Sequence, residues 1–167
     1  KAFQTILRNR ISHGGILAPG AGIVKNGENG KGLTSRWYPQ TLKQRLQTIA
    51  KMKNVITFIQ GDGFNVCNQY IDNPDAAFFF DPPYTAGGKS AGRRLYTHSV
   101  IDHPQLFELA SKIQGDFLMT YENSDEVRDL AKSHHFEDTP IAMQNRRNAV
   151  MKELVISRSL EWLVPGY

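Results

Sequence analysis

The stretch Ala76-Ala77-Phe78-Phe79-Phe80-Asp81-Pro82-Pro83-Tyr84 decides how the rest of this 167-residue chain is read. Five apolar residues bounded by turn signals predict a short buried strand. The strand ends on a carboxylate and two prolines. In open α/β sheets, ligands sit beyond the carboxyl ends of the strands. Each proline fixes its own φ and lacks an N–H, and a residue before proline is biased towards extended backbone. The loop is therefore stiff. It presents the Asp81 carboxylate, carbonyls with no competing N–H, and the aromatic face of Tyr84. That set suits an amino group on a flat ring, with the acceptors taking its two N–H bonds and the aromatic stacking on the ring. The plainer reading is a strand end and a Pro-Pro turn, with Asp81 as a local cap.

The flanking sequence alternates strand and helix. Upstream, residues 55–59 (Val-Ile-Thr-Phe-Ile) predict a strand ending at Gly61-Asp62, and residues 64–70 a short helix carrying Cys67, read as a small core residue. Downstream, residues 103–114 predict a helix capped by Asp102, burying Leu106, Phe107, Leu109, Ala110 and Ile113. A strand at 117–121 and a helix at 124–133 follow, with His134-His135 at the helix end. Residues 136–143 and 149–157 predict a hairpin joined by Asn145-Arg146-Arg147-Asn148. Strands buried on both faces and alternating with helices predict an α/β sheet. Nearer the start, residues 3–10 read as a helix end. Residues 14–35 hold seven glycines and read as a long loop or loose hairpin. A helix then begins at Pro39, with Leu42, Leu46, Ile49 and Ala50 on one face. The predicted division is a basic segment over 1–53 and an α/β part over 54–167.

Composition narrows the classes. Hydrophobic residues at 40% and charged residues at 22% exclude disorder as the main state. A single cysteine excludes a disulfide framework, and no Cys/His cluster points to a metal. The longest apolar run, residues 76–80, is far short of a membrane span. A soluble, intracellular protein is expected, and the absence of an initiator Met points to a removed upstream part. Net charge is +4, but residues 1–60 hold ten bases against one acid, a net of +9, and the remainder is −5. This asymmetry predicts a polyanion-binding segment; the plainer reading is a solvated, Lys-rich surface. Two phosphate-loop lookalikes fail. Gly88-Lys89-Ser90 has Pro83 where the first glycine belongs, and Gly61-x-Gly63 is followed by Val66.

Asp81-Pro82-Pro83-Tyr84 resembles the catalytic motif of DNA adenine-N6 methyltransferases, and its surroundings are similar to the Dam-like branch. Leu7-Arg8-Asn9-Arg10 before Gly14-Gly15 resembles the segment leading into that branch's DNA-recognition hairpin. Ile59-Gln60-Gly61-Asp62, Leu95-Tyr96, Tyr121-Glu122-Asn123-Ser124 and Lys152-Glu153-Leu154-Val155-Ile156 follow in the expected order. The resemblance covers roughly residues 5–158. It implies a Rossmann-like sheet, S-adenosyl-L-methionine as methyl donor, and double-stranded DNA as partner. It implies a bacterial or phage-type cytoplasmic setting and no membrane. Asp81, the Pro82 carbonyl and Tyr84 would hold a flipped adenine. Asp81 and Asp62 would serve the cofactor, Asp62 at its adenine, although a turn-capping Asp62 reads nearly as well. Arg8, Asn9, Arg10, His13, Lys31 and Arg36 would meet DNA. Arg93-Arg94 and Arg146-Arg147 read equally as phosphate contacts or surface charges.

Two departures qualify the resemblance. The family's Phe-x-Gly-x-Gly cofactor loop and the ribose-binding acid do not appear ahead of the basic segment, and Gly20-Ala21-Gly22 is a poor substitute. The expectation is a C-terminal part of such an enzyme, with weak cofactor binding and no activity on its own. An uncovered sheet edge would bring self-association or pairing with the missing N-terminal part. The hairpin Ile11-Ser12-His13-Gly14-Gly15 also differs from its relatives, so no target sequence follows. The competing readings are a non-catalytic DNA-binding remnant and a methyltransferase acting on RNA or protein amines, with the basic arm disfavouring protein.

Overall fold

In the computed structural model the described residues are 1–18, 20–27, 30–84, 98–144 and 150–163; at 143–144 and 150–151 only the backbone is described. The expectations for Gly88-Lys89-Ser90, Arg93-Arg94, Leu95-Tyr96 and the turn at 145–148 lie outside them. The chain separates into two compact units, with the described residues of one being 1–60 and those of the other 61–84 and 98–163.

In the first unit, α1 (Ala2–Ile11) ends where Ser12 turns to extended backbone. Gly14 and Gly15 follow at φ 72° and 71°, a region glycine enters without steric penalty. The chain then doubles back. The His13 N–H donates to the Gly22 carbonyl at 2.8 Å, and the Val24 N–H to the Ile11 carbonyl at 2.8 Å. A loose hairpin results, as the glycine-rich sequence predicts. At Gly27 (φ 67°) an added Cβ would lie 1.6 Å from the Gly32 carbonyl oxygen, so no side chain fits there. Pro39 opens α2 (Pro39–Lys51), where its missing N–H leaves nothing unpaired.

In the second unit, Asp62 caps α3 (Gly63–Asn68) by accepting the Asn65 N–H at 3.0 Å. Strand β1 (Ala77–Phe80) is followed by α4 (His103–Lys112), capped by Asp102, and by β2 (Asp116–Glu122), parallel to β1. Next come α5 (Asp125–Ser133), capped by Ser124, and the antiparallel hairpin of β3 (Glu137–Gln144) and β4 (Val150–Ser157). The sheet order is β1-β2-β4-β3, a mixed α/β sheet of four strands. Gly115 permits the β1–β2 approach, because a Cβ there would stand 2.0 Å from the Ala76 carbonyl oxygen.

The core lies on one face of this sheet. Phe117, Met119 and Tyr121 of β2 and Leu154 and Ile156 of β4 pack with Leu106, Phe107, Leu109, Ala110 and Ile113, and with Val127 and Ala131 of α5. The five residues predicted to be buried on the 103–114 helix are all buried. Cys67 is half-buried against this core.

Two expectations are corrected. The strand expected at residues 55–59 does not form: Val55 lies in a turn and 56–59 are irregular, with Val55 and Phe58 78% and 89% exposed. β-Propensity is realised only against a partner strand, and none pairs with this segment among the described residues. Nor are the strands buried on both faces. In β2 the buried positions alternate with half-buried Leu118, Thr120 and Glu122, and Phe79 of β1 is 65% exposed. The helices α4 and α5 supply apolar cover to one face only. Among the described residues no helix is long and apolar enough to cross a membrane.

Candidate functional site

The site is built where the parallel pair ends. The last paired positions are Phe80 and Met119. One step on, Asp81 and Thr120 stand side by side, and the Thr120 hydroxyl donates to Asp81 Oδ1 at 3.0 Å. The two prolines then carry the chain to Tyr84, whose hydroxyl donates to Glu153 Oε2 of β4 at 3.2 Å. Pro82 is buried, Pro83 and Tyr84 are half-buried, and Asp81 is exposed. The Tyr84 phenol is pushed up to about 12. Burial is the largest cause, and the Glu153 and Asp81 carboxylates act in the same direction, while the Thr120 hydroxyl opposes them.

Asp81 also lines a cavity of about 470 Å³, together with Asp62, Phe64, Cys67, Phe80, Pro82, Asp102, Gln105 and Leu106. The size falls within the range of small-molecule sites. The walls are aromatic and aliphatic; Asp81 comes from the end of β1, and Asp62, Asp102 and Gln105 come from helix starts. Asp62 caps α3, and Asp102 accepts the Gln105 N–H at 2.9 Å to cap α4. Burial, and then the Asp62 charge, push the Cys67 thiol up, so Cys67 is a wall and not a nucleophile. Behind the site, buried His103 and Tyr121 share a hydrogen bond between Nδ1 and the phenol oxygen at 3.1 Å.

The structure thus brings Asp81, Pro82 and Asp62 to one cavity and ties Tyr84 to the adjoining strands. Thr120 and Glu153 were not singled out from sequence. They become neighbours of the loop only through strand register; both fall on strands predicted to follow it, and Glu153 lies in the segment at 152–156 that carries part of the resemblance.

The residues expected at DNA separate into two groups within the first unit. Arg8, His13 and Lys31 are exposed. Asn9 donates to the Gly15 carbonyl at 2.6 Å. Arg10 donates to the Arg36 carbonyl and to the Tyr38 hydroxyl, both at 2.7 Å, with its guanidinium 4.9 Å over the Tyr38 ring. Arg36 donates to the Ser12 carbonyl at 2.7 Å. Asn9 thus holds the hairpin turn to α1, and Arg10 and Arg36 tie the end of α1 and Ser12 to the segment at 36–38.

Residues 24–146, which span α2, the capped α3, the Asp-Pro-Pro-Tyr loop and both helices of the core, match the family described as D12 class N6 adenine-specific DNA methyltransferase. The chain belongs to that family, and its class is therefore that of enzymes that methylate adenine in DNA. No curated protein matches it.

Proposed function

We propose that the loop at Asp81–Tyr84 receives an adenine flipped out of DNA and that its exocyclic amino group is methylated there. The observation that carries this reading is the double placement of Asp81, which lines the cavity and is fixed from the strand side by Thr120. Methyltransferases of this family use S-adenosylmethionine, which supplies an electrophilic methyl group when bound. The cavity fits its adenine end: Phe64, Phe80 and Leu106 give apolar walls, and Asp62 and Gln105 give polar partners for the ring.

The chain's own residues do the remaining work. The Asp81 carboxylate and the Pro82 carbonyl accept the two amino N–H bonds, which orients the nitrogen lone pair towards the cavity. Flipping costs roughly a few kcal/mol. Stacking on the Tyr84 ring offsets about 1–3 kcal/mol of that. Alignment of the two reacting groups supplies much of the rate. Residues 1–53 act as the DNA-recognition segment: Arg8, His13 and Lys31 reach the duplex, Asn9 holds the hairpin turn, and Arg10 and Arg36 tie the end of α1 to the segment at 36–38. Residues 54–167 act as the catalytic part, a portion of a Rossmann-like sheet, with the outer edge of β1 open to a further strand.

The test separates stacking from hydrogen bonding. Tyr84→Phe keeps the ring and retains methyl transfer, whereas Tyr84→Ala loses the equivalent of about 1–3 kcal/mol, roughly 5- to 160-fold. Equal activity in both variants overturns the assignment of Tyr84 as the stacking platform.

A further inference from the structure

We propose that Thr120 is a positioning residue for Asp81, fixing one carboxylate oxygen so that the other is presented to the incoming amino group. The inference rests on the methyltransferase reading and adds a residue on a different strand. Three observations carry it. Thr120 lies on β2, which pairs with β1 on one side and with β4 on the other, where Thr120 stands opposite Val155. Its backbone is therefore held by β4, one step beyond the last pair that β2 makes with β1. Its side chain is β-branched, so few χ1 rotamers are open to it. Its hydroxyl donates to Oδ1 of Asp81 at 3.0 Å, although Asp81 itself is exposed.

An ionised carboxylate only accepts hydrogen bonds. An exposed aspartate without a tether samples several rotamers, and each productive encounter must then select one. Because Thr120 engages Oδ1, the plane of the carboxylate is set before substrate arrives and Oδ2 remains for an N–H of the substrate. Hydrogen bonds to charged groups are stronger than neutral ones, so one donor from half-buried Thr120 suffices to orient the exposed Asp81 carboxylate. Thr120 touches no reacting atom in this account; its hydroxyl also stands beside the Tyr84 phenol, and its positioning effect is read at the Asp81 carboxylate.

The test has an arm that needs no activity. In the ¹³C-labelled chain, the carboxyl resonance of Asp81 is assigned by its disappearance in Asp81→Asn. Thr120→Val moves that resonance and Thr120→Ser returns it; Thr120→Ala, which only removes atoms, replaces Val if Val does not fold. The second arm measures methyl transfer with the chain expressed together with any coding sequence that adjoins it. Thr120→Val lowers kcat by roughly 10- to 100-fold, the scale of a misplaced reacting group, with KM for DNA little changed, and Thr120→Ser restores it. An unmoved resonance in Thr120→Val, or a Thr120→Ser variant that fails to restore it, overturns the proposal. Wild-type activity in Asp81→Ala, which leaves no acceptor, instead overturns the methyltransferase reading of the loop, and the resonance arm still decides whether Thr120 holds Asp81.

Discussion

Tyr84 and Glu153 lie 69 positions apart, and the Tyr84 hydroxyl donates to the Glu153 carboxylate at 3.2 Å, which ties the loop after β1 to strand β4. The phenol is pushed up to about 12 from an ordinary 10.0. The folded state therefore favours the neutral phenol. Its stabilising effect is complete below pH 10.0 and is lost as pH rises towards about 12, because the unfolded chain ionises first. Tyr84→Phe removes this contribution. Urea midpoints measured across that window fall less steeply in the variant, and an unchanged slope contradicts the stated environment of Tyr84.

His103 has the opposite sign. Burial holds its imidazole below the ordinary 6.5, although Glu126, Glu122 and Asp102 pull it upward. The neutral ring is favoured in the folded state, so its contribution is complete above 6.5 and is lost as pH falls through the lowered value. His103→Gln reduces the loss of stability between about pH 7.5 and about pH 5. If wild type and variant lose stability in parallel, the buried bond to Tyr121 is not the acid-sensitive element.

Phe107 is fully buried, with ring centroids 5.6 Å from Tyr121 and 6.1 Å from Phe136. Phe107→Ala leaves a cavity between α4 and the sheet and costs about 3–5 kcal/mol. Denaturant titration of the whole chain gives this number. A loss under about 1 kcal/mol would place the core elsewhere.

Arg8 and Lys31 are predicted to meet phosphate, whereas Arg10 and Arg36 tie the end of α1 to the segment at 36–38. Arg8→Ala and Lys31→Ala each reduce the magnitude of the log–log salt slope of DNA binding by about 0.9 and leave thermal stability unchanged. Arg10→Ala lowers thermal stability, because it loses bonds to Arg36 and Tyr38. A salt slope unmoved by Arg8→Ala and Lys31→Ala would make the basic arm an ordinary solvated surface.

Much of the second unit can be read from local sequence. The cap at Asp102, the apolar face of α4 and the strand ending at Asp81 depend on neighbours a few residues away. What sequence does not show depends on distant pairing. Residues 55–59 have strand composition, yet a strand also needs a partner, and none is present among the described residues. Thr120 reaches Asp81 through β1–β2 register, and Glu153 reaches Tyr84 through β4, neither of which has a local signature. Arg10 and Arg36 show why charge counts mislead at single residues. Both add to the basic arm, yet their donors go to backbone carbonyls and to Tyr38.

The central claim is that Asp81 holds the amino group that is methylated. DNA is incubated with S-adenosylmethionine carrying a labelled methyl group and with the chain expressed together with any coding sequence that adjoins it, then digested to nucleosides and analysed by mass spectrometry. The account predicts label on N6-methyladenine with wild type, no label above background with Asp81→Ala, and nearly equal DNA affinity for the two proteins. Methyl transfer by Asp81→Ala within roughly tenfold of wild type, a barrier change of only about 1.4 kcal/mol, would contradict it, as would label on a different base.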